Sequence, residues 1–128
     1  IAKAIEESLR FNTSAQRFKR TATRSVELHG KTIAPDDTVV LAYGAANRDE
    51  RKFPDADVFD IDRNPRGHLG FGTGKHFCIG SGFARMVTKI AFERLLARIS
   101  DFEVVDRKFG WVSSSNFRSP LSLPLVRM

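Results

Sequence analysis

The chain has 128 residues, 41% of them hydrophobic, and a formal net charge of +6 at pH 7. That length suits a single domain able to bury a core; no run of about 18 apolar residues encodes a transmembrane helix, and a single cysteine excludes an intramolecular disulfide. The positive charge is spread along the chain, which speaks against a basic arm for nucleic acid and leaves an acidic protein partner open, while the lone cysteine favours a cytoplasmic setting.

Ile1, Ile5 and Leu9 recur every four residues and, with Ala2 and Ala4, predict a helix over residues 1–11. Neither a capping residue nor an initiator methionine precedes it, so the chain is expected to be a piece of a longer protein. Glu7 and Arg10 stand three apart on one face of that helix. On their own they read as an exposed pair worth about 0.2–0.5 kcal/mol, or as a buried pair held by a third group. Residues 13–43 have the character of a small antiparallel sheet. A β-branched run covers 21–28, turns fall at His29-Gly30-Lys31 and Pro35-Asp36-Asp37, and a strand follows over 38–43. Arg17, Lys19, Arg20 and Arg24 cluster near its start, as a solvated basic face or an anion site.

Residues 44–70 lose periodicity. A short helix is predicted over 45–49, then an ordered connection anchored by Phe53, Val58, Phe59 and Ile61. Residues 83–99 predict a long helix with two apolar sides, Phe83, Met86, Val87 and Ile90 on one and Phe92, Leu95, Leu96 and Ile99 on the other. Such a helix needs cover on both, more than residues 1–70 supply. Residues 100–128 read as short strands over 102–105, 110–112 and 121–126. The fold class is therefore mainly α with small antiparallel β-sheets, an α+β arrangement.

Residues 71–82 concentrate four of the nine glycines and the only cysteine. Gly72 and Gly74 let the backbone turn, and Gly80 and Gly82 allow close approach of a neighbour beyond Cys78. Cys78 lies just ahead of the long helix, where unpaired N–H groups and the helix dipole favour negative charge, as on a thiolate that ligates a metal or attacks as a nucleophile. A phosphate loop of the Walker type would need glycine at 69 and Ser or Thr at 76, where Leu69 and His76 stand; a dinucleotide fingerprint fails at Phe77. One cysteine and three scattered histidines lack the paired spacing of structural zinc. A cysteine nucleophile based on His76 lacks an orienting partner, and a small buried hydrophobe remains the plain alternative for Cys78.

Read whole, Phe71-Gly72-x-Gly74-x-His76-x-Cys78-x-Gly80 fixes six of ten positions and resembles the haem-binding signature of the cytochrome P-450 family, the haem-thiolate monooxygenases. Glu7-Ser8-Leu9-Arg10 is similar to the family's Glu-x-x-Arg on the helix called K, and Phe59-Asp60-Ile61-Asp62-Arg63 to its meander; Ala84-Arg85 matches the opening of the helix called L. The resemblance implies the C-terminal part of one such domain: K helix 1–11, small sheet 13–43, meander 44–70, haem-binding loop 71–82, L helix 83–99 and terminal strands 100–128.

It also implies haem b as cofactor and Cys78 as axial ligand to its iron. Phe71, Gly72, Gly80 and Ala84 would lie around the cofactor. N–H groups would aim at the sulfur, Phe71 would shield it, and His76 and Arg20 would meet the propionates. Glu7, Arg10 and Arg63 would form a buried network, and His68 would support the loop. The parent would insert one oxygen atom from O2 into a small organic substrate, using electrons from a ferredoxin or flavodoxin type partner docked near Lys75 and Arg85. Segments 38–43 and 113–121 are the ones that would touch substrate. The family's central helix, which delivers protons to bound oxygen, precedes the Glu-x-x-Arg helix and has no counterpart here. The isolated chain is accordingly expected to be inactive, or to be a non-catalytic haem-binding or interaction remnant.

Overall fold

A computed structural model describes residues 1–105 and 110–128. Helix α1 (Ala2–Phe11) is followed by strands β1 (Phe18–Thr21), β2 (Val26–Leu28), β3 (Lys31–Ile33) and β4 (Thr38–Leu41) and the short helix α2 (Tyr43–Ala46). An irregular stretch leads to a 3-10 turn (Gly74–His76), then to the long helix α3 (Ser81–Arg98) and strands β5 (Phe102–Val104) and β6 (Leu125–Arg127). Residues 13–43 make two separate antiparallel ladders rather than one sheet, β1 with β4 and β2 with β3. The β2–β3 hairpin closes through His29 and Gly30, both at positive φ (50° and 72°), the type I′ geometry that matches strand twist. The second turn puts Pro35 ahead of Asp36 at φ 69°, with the Asp37 N–H donating to the Ala34 carbonyl at 3.2 Å.

The short helix begins two residues before its predicted start, because the first helical bonds run from Ala46 N–H to Ala42 and from Asn47 N–H to Tyr43. That wraps the chain around Tyr43 and Asn47, both buried. Helix α3 likewise starts at Ser81, so Gly82 lies in its first turn, where an added Cβ would meet open space; close approach there is not made. At the end of the chain Leu125–Arg127 pairs with β5; Pro124 cannot donate to a ladder and interrupts the predicted 121–126 strand, and the Leu121 N–H goes to the Gly110 carbonyl instead. Trp111 and Pro120 form an isolated bridge, and Ala15 pairs with Phe117, bringing the last segment back to the stretch after α1.

Residues 44–70 are held by arginines as well as by two of the four apolar anchors read from sequence. Phe53 is buried and Phe59, though about half exposed, packs edge-on against Phe11 with ring centroids 5.5 Å apart, whereas Val58 and Ile61 are exposed. Arg48 donates twice to the Phe11 carbonyl (2.9 and 2.7 Å) and lies 3.6 Å over the Phe11 ring. Helix α1 packs against α3, yet Phe83, Met86, Val87 and Ile90 on α3 stay about half exposed or more, as does Phe92. Both apolar sides of α3 are thus largely uncovered within the chain.

Candidate functional site

The most buried part of the molecule is charged. Glu7 and Arg10 are fully buried and meet in a two-pronged pair, Arg10 Nη2 to Glu7 Oε1 at 2.6 Å and Arg10 Nε to Oε2 at 2.9 Å. Nη1 of Arg10 donates to the carbonyls of Asn47 (2.9 Å) and Ala56 (2.8 Å), and Nη2 also reaches Val58 (3.2 Å). Glu7 Oε1 accepts from the Asp60 N–H (3.0 Å) and from Arg63 Nε (3.2 Å). Arg63 in turn donates to the carbonyls of Pro54, Asp55 and Val58. The helix pair is therefore interior, and Arg63 is its third member. Burial alone would push the Glu7 carboxyl up; the hydrogen bonds from Arg10, the Asp60 N–H and Arg63 outweigh it and hold the group below the usual carboxylate range.

The same α1 carries Glu6 on its neighbouring face. Glu6 takes Arg85 Nε (2.5 Å) and Nη2 (3.0 Å) from α3 and lies 3.1 Å from His68 Nε2. The Arg85 guanidinium holds Glu6 below the usual carboxylate range, with burial opposing and His68 assisting. Arg85 also stacks over Phe71, 4.7 Å from the ring centroid. Its guanidinium is thereby paired within the chain, with 36% of the side chain still exposed; Lys75 is exposed. Two further residues were not singled out from sequence. Asn47, fully buried, donates to Thr13 Oγ1 at 2.7 Å and accepts the Leu69 N–H at 2.6 Å. Gly70 runs so close to α1 that a Cβ would sit 2.7 Å from the Leu9 carbonyl oxygen. Its place beside the Phe71-Gly72 motif is the one sequence signal that marked it.

On this base the loop turns back on itself. Gly72 and Gly74 take φ of 70° and 65°, the left-handed region, and the Cys78 N–H donates to the Phe71 carbonyl at 2.9 Å. Cys78 is exposed and lines a cavity of about 1140 Å³ together with Phe71, Gly72, His76, Ala84 and Arg20. Gly80 does not line it, but a Cβ there would come within 3.9 Å of Cys78 Sγ. Among the described residues no N–H is bonded to that sulfur; the Ser81 N–H at the head of α3 goes to the Cys78 carbonyl instead, at 3.2 Å. Arg20 spends one N–H on the Lys19 carbonyl (2.8 Å), and His76 stands exposed on its turn. No cluster of three or more His, Cys, Asp or Glu side chains suited to a metal ion occurs among the described residues.

One thiol, one imidazole and two guanidinium groups, those of Arg20 and Arg85, thus stand on an otherwise largely apolar wall. The chain matches the family model for Cytochrome P450 over residues 1–108 and belongs to that family, whose members bind haem b. It is 45% identical over 125 residues to Cytochrome P450 130 of Mycobacterium tuberculosis, covering 97% of this chain and 31% of that protein. Similarity to the biotin biosynthesis cytochrome P450 of Bacillus subtilis is 39% over 126 residues, covering 98% and 32%. Among solved structures, cytochrome P450 CYP109Q5 of Chondromyces apiculatus superposes with a TM-score of 0.94 at 41% identity, over 99% of this chain and 33% of that one. P450BioI, solved with an acyl carrier protein ligated to hexadec-9Z-enoic acid, gives 0.94 at 38%, over 99% and 33%. The chain thus spans about a third of the length of these relatives. No helix among the described residues is long and apolar enough to cross a membrane.

Proposed function

We propose that Cys78 is the axial thiolate ligand of haem iron, and that the chain is the C-terminal, ligand-bearing part of a longer monooxygenase that inserts one oxygen atom from O2 into a small organic substrate. The observation that carries this is the shared cavity: an exposed Cys78 on one wall with Phe71, Ala84, His76 and Arg20, backed by the buried Glu7-Arg10-Arg63 network. When bound, a haem with a thiolate ligand supplies the electron push that favours O–O cleavage. The residues of this chain hold and orient it. Arg20 and His76 are the groups to meet the propionates, a guanidinium giving the two-pronged contact that a carboxylate accepts. Phe71 and Ala84 keep water from the ligand side, and the turn through Gly72 and Gly74 presents the sulfur.

The test is the reduced, carbon monoxide-bound spectrum of the full-length protein. A thiolate-type Soret band that disappears in Cys78→Ala supports the reading; its absence, or its survival in Cys78→Ala, overturns it. The uncovered sides of α3 and the length of the relatives support a second expectation, that the isolated chain oxidises no substrate. Turnover by the purified chain with haem and a reductase would refute that.

For electron delivery, an acidic ferredoxin or flavodoxin type partner would dock beside the ligand loop, with Lys75 as the exposed cation. Reduction should slow as salt rises and in Lys75→Glu. Rates indifferent to both would remove the proposal.

A further inference from the structure

The Glu-x-x-Arg network leaves unexplained the glutamate beside it. Glu6 collects donors from both ends of the segment that carries Cys78: His68 ahead of the loop at 3.1 Å, and Arg85 beyond it at 2.5 and 3.0 Å. His68 is nearly buried, its side chain 6% exposed. The Gly70 N–H can only donate, and it lies 3.0 Å from His68 Nδ1, so that nitrogen is the acceptor and Nε2 carries the proton given to Glu6. Both ends of the loop are therefore fastened to one carboxylate on α1.

What Glu6 fixes through Arg85 is the part of the loop nearest the thiol. Held by two N–H groups, the guanidinium lies over the Phe71 ring, 4.7 Å from its centroid. The Phe71 carbonyl accepts the Cys78 N–H at 2.9 Å. Packing on the Phe71 ring thus sets the peptide that sets Cys78.

We propose that Glu6 is a positioning residue for the Cys78 loop, closing segment 68–85 onto α1 and clamping Arg85 over Phe71. This rests on the haem-thiolate reading and deepens it. Glu6 itself neither lines the cavity nor touches the sulfur; it acts through Arg85, which does line the cavity, and through His68 and Phe71.

The test uses the full-length haem protein and the variants Glu6→Gln, Arg85→Lys and the double variant. Haem loss is followed by transfer to excess apomyoglobin, and the carbon monoxide complex is watched for conversion from a thiolate-type to a thiol-type band. With circular dichroism and initial haem content unchanged, each single variant should lose haem about tenfold faster and convert sooner, as supporting partners of a metal ligand do when removed. The double variant should be no worse than the singles, because the two residues act as one unit. Haem retention and band lifetime equal to the unmodified protein, or effects that multiply in the double variant, would overturn the role. The Glu6→Gln variant keeps an acceptor for His68 and the Arg85→Lys variant keeps the charge, so if one single variant does not fold the other still decides. An unmodified protein with no thiolate-type band would overturn the haem-thiolate reading itself, and this inference with it, before any variant is compared.

Discussion

Arg10 donates to both oxygens of Glu7 and to three main-chain carbonyls, so the interior polar cluster is fully used and hard to edit. Glu7→Ala leaves Arg10 buried without its counter-charge and should destabilise the full-length protein by about 3–5 kcal/mol in urea unfolding. The effect has a defined pH dependence. Glu7 is held below its unfolded value, so its stabilisation is complete above the carboxylate range and fades as pH falls through the unfolded value toward the depressed folded one. The difference between Glu7→Gln and the unmodified protein should therefore shrink with acidification; a constant difference from neutral to acid pH would show that charge is not what matters there. Gly70 answers to a different force. A methyl group 2.7 Å from the Leu9 carbonyl must push the loop off α1, and Gly70→Ala should cost about 1–3 kcal/mol by the same assay. Glu7 and Arg10 were legible in the sequence as a spaced pair, and Arg63 through a motif. Glu6 and Asn47 were not, because their partners, Arg85 and Leu69, lie far along the chain and nothing local distinguishes these side chains from solvated ones.

Among the elements, α3 shows most plainly what a sequence period can and cannot convey. Its apolar residues fall on two sides, which was legible; which neighbours cover them was not, because the chain itself leaves Ile90 49% and Phe83 68% exposed. If longer relatives set the pattern, those faces are interior in the full-length protein. Ile90→Ala should then cost about 2–5 kcal/mol in that protein, a core value, where the exposure seen in this chain alone would give less than about 0.5 kcal/mol. Urea unfolding of the two full-length forms decides between them. The strands were harder to place than the helices. The break between β1 and β2 and the short β6 depend on turn geometry and on proline's missing N–H, which periodicity does not register.

The whole molecule is tied together across nearly its full length at one place. Residues 14–16 and 116–118 exchange main-chain bonds, Gln16 N–H to Asn116 at 2.7 Å and Arg118 N–H to Ser14 at 2.8 Å, around the Ala15–Phe117 bridge. Phe117 also packs edge-on against Phe18 of β1, the strand that bears Arg20, with ring centroids 5.7 Å apart. Closing a loop of that span costs on the order of 4 kcal/mol of chain entropy, against far less for the β2–β3 turn. The order of folding follows. Helices α1 and α3 and the local hairpin form early, and the seam between the two distant segments closes late. In pulsed hydrogen exchange during refolding, the amides of Gln16 and Arg118 should gain protection after those of the two helices. The cavity wall that presents Arg20 is then finished only when the tail of the chain arrives, so a chain still being synthesised would have its thiol loop in place before the edge that carries this arginine.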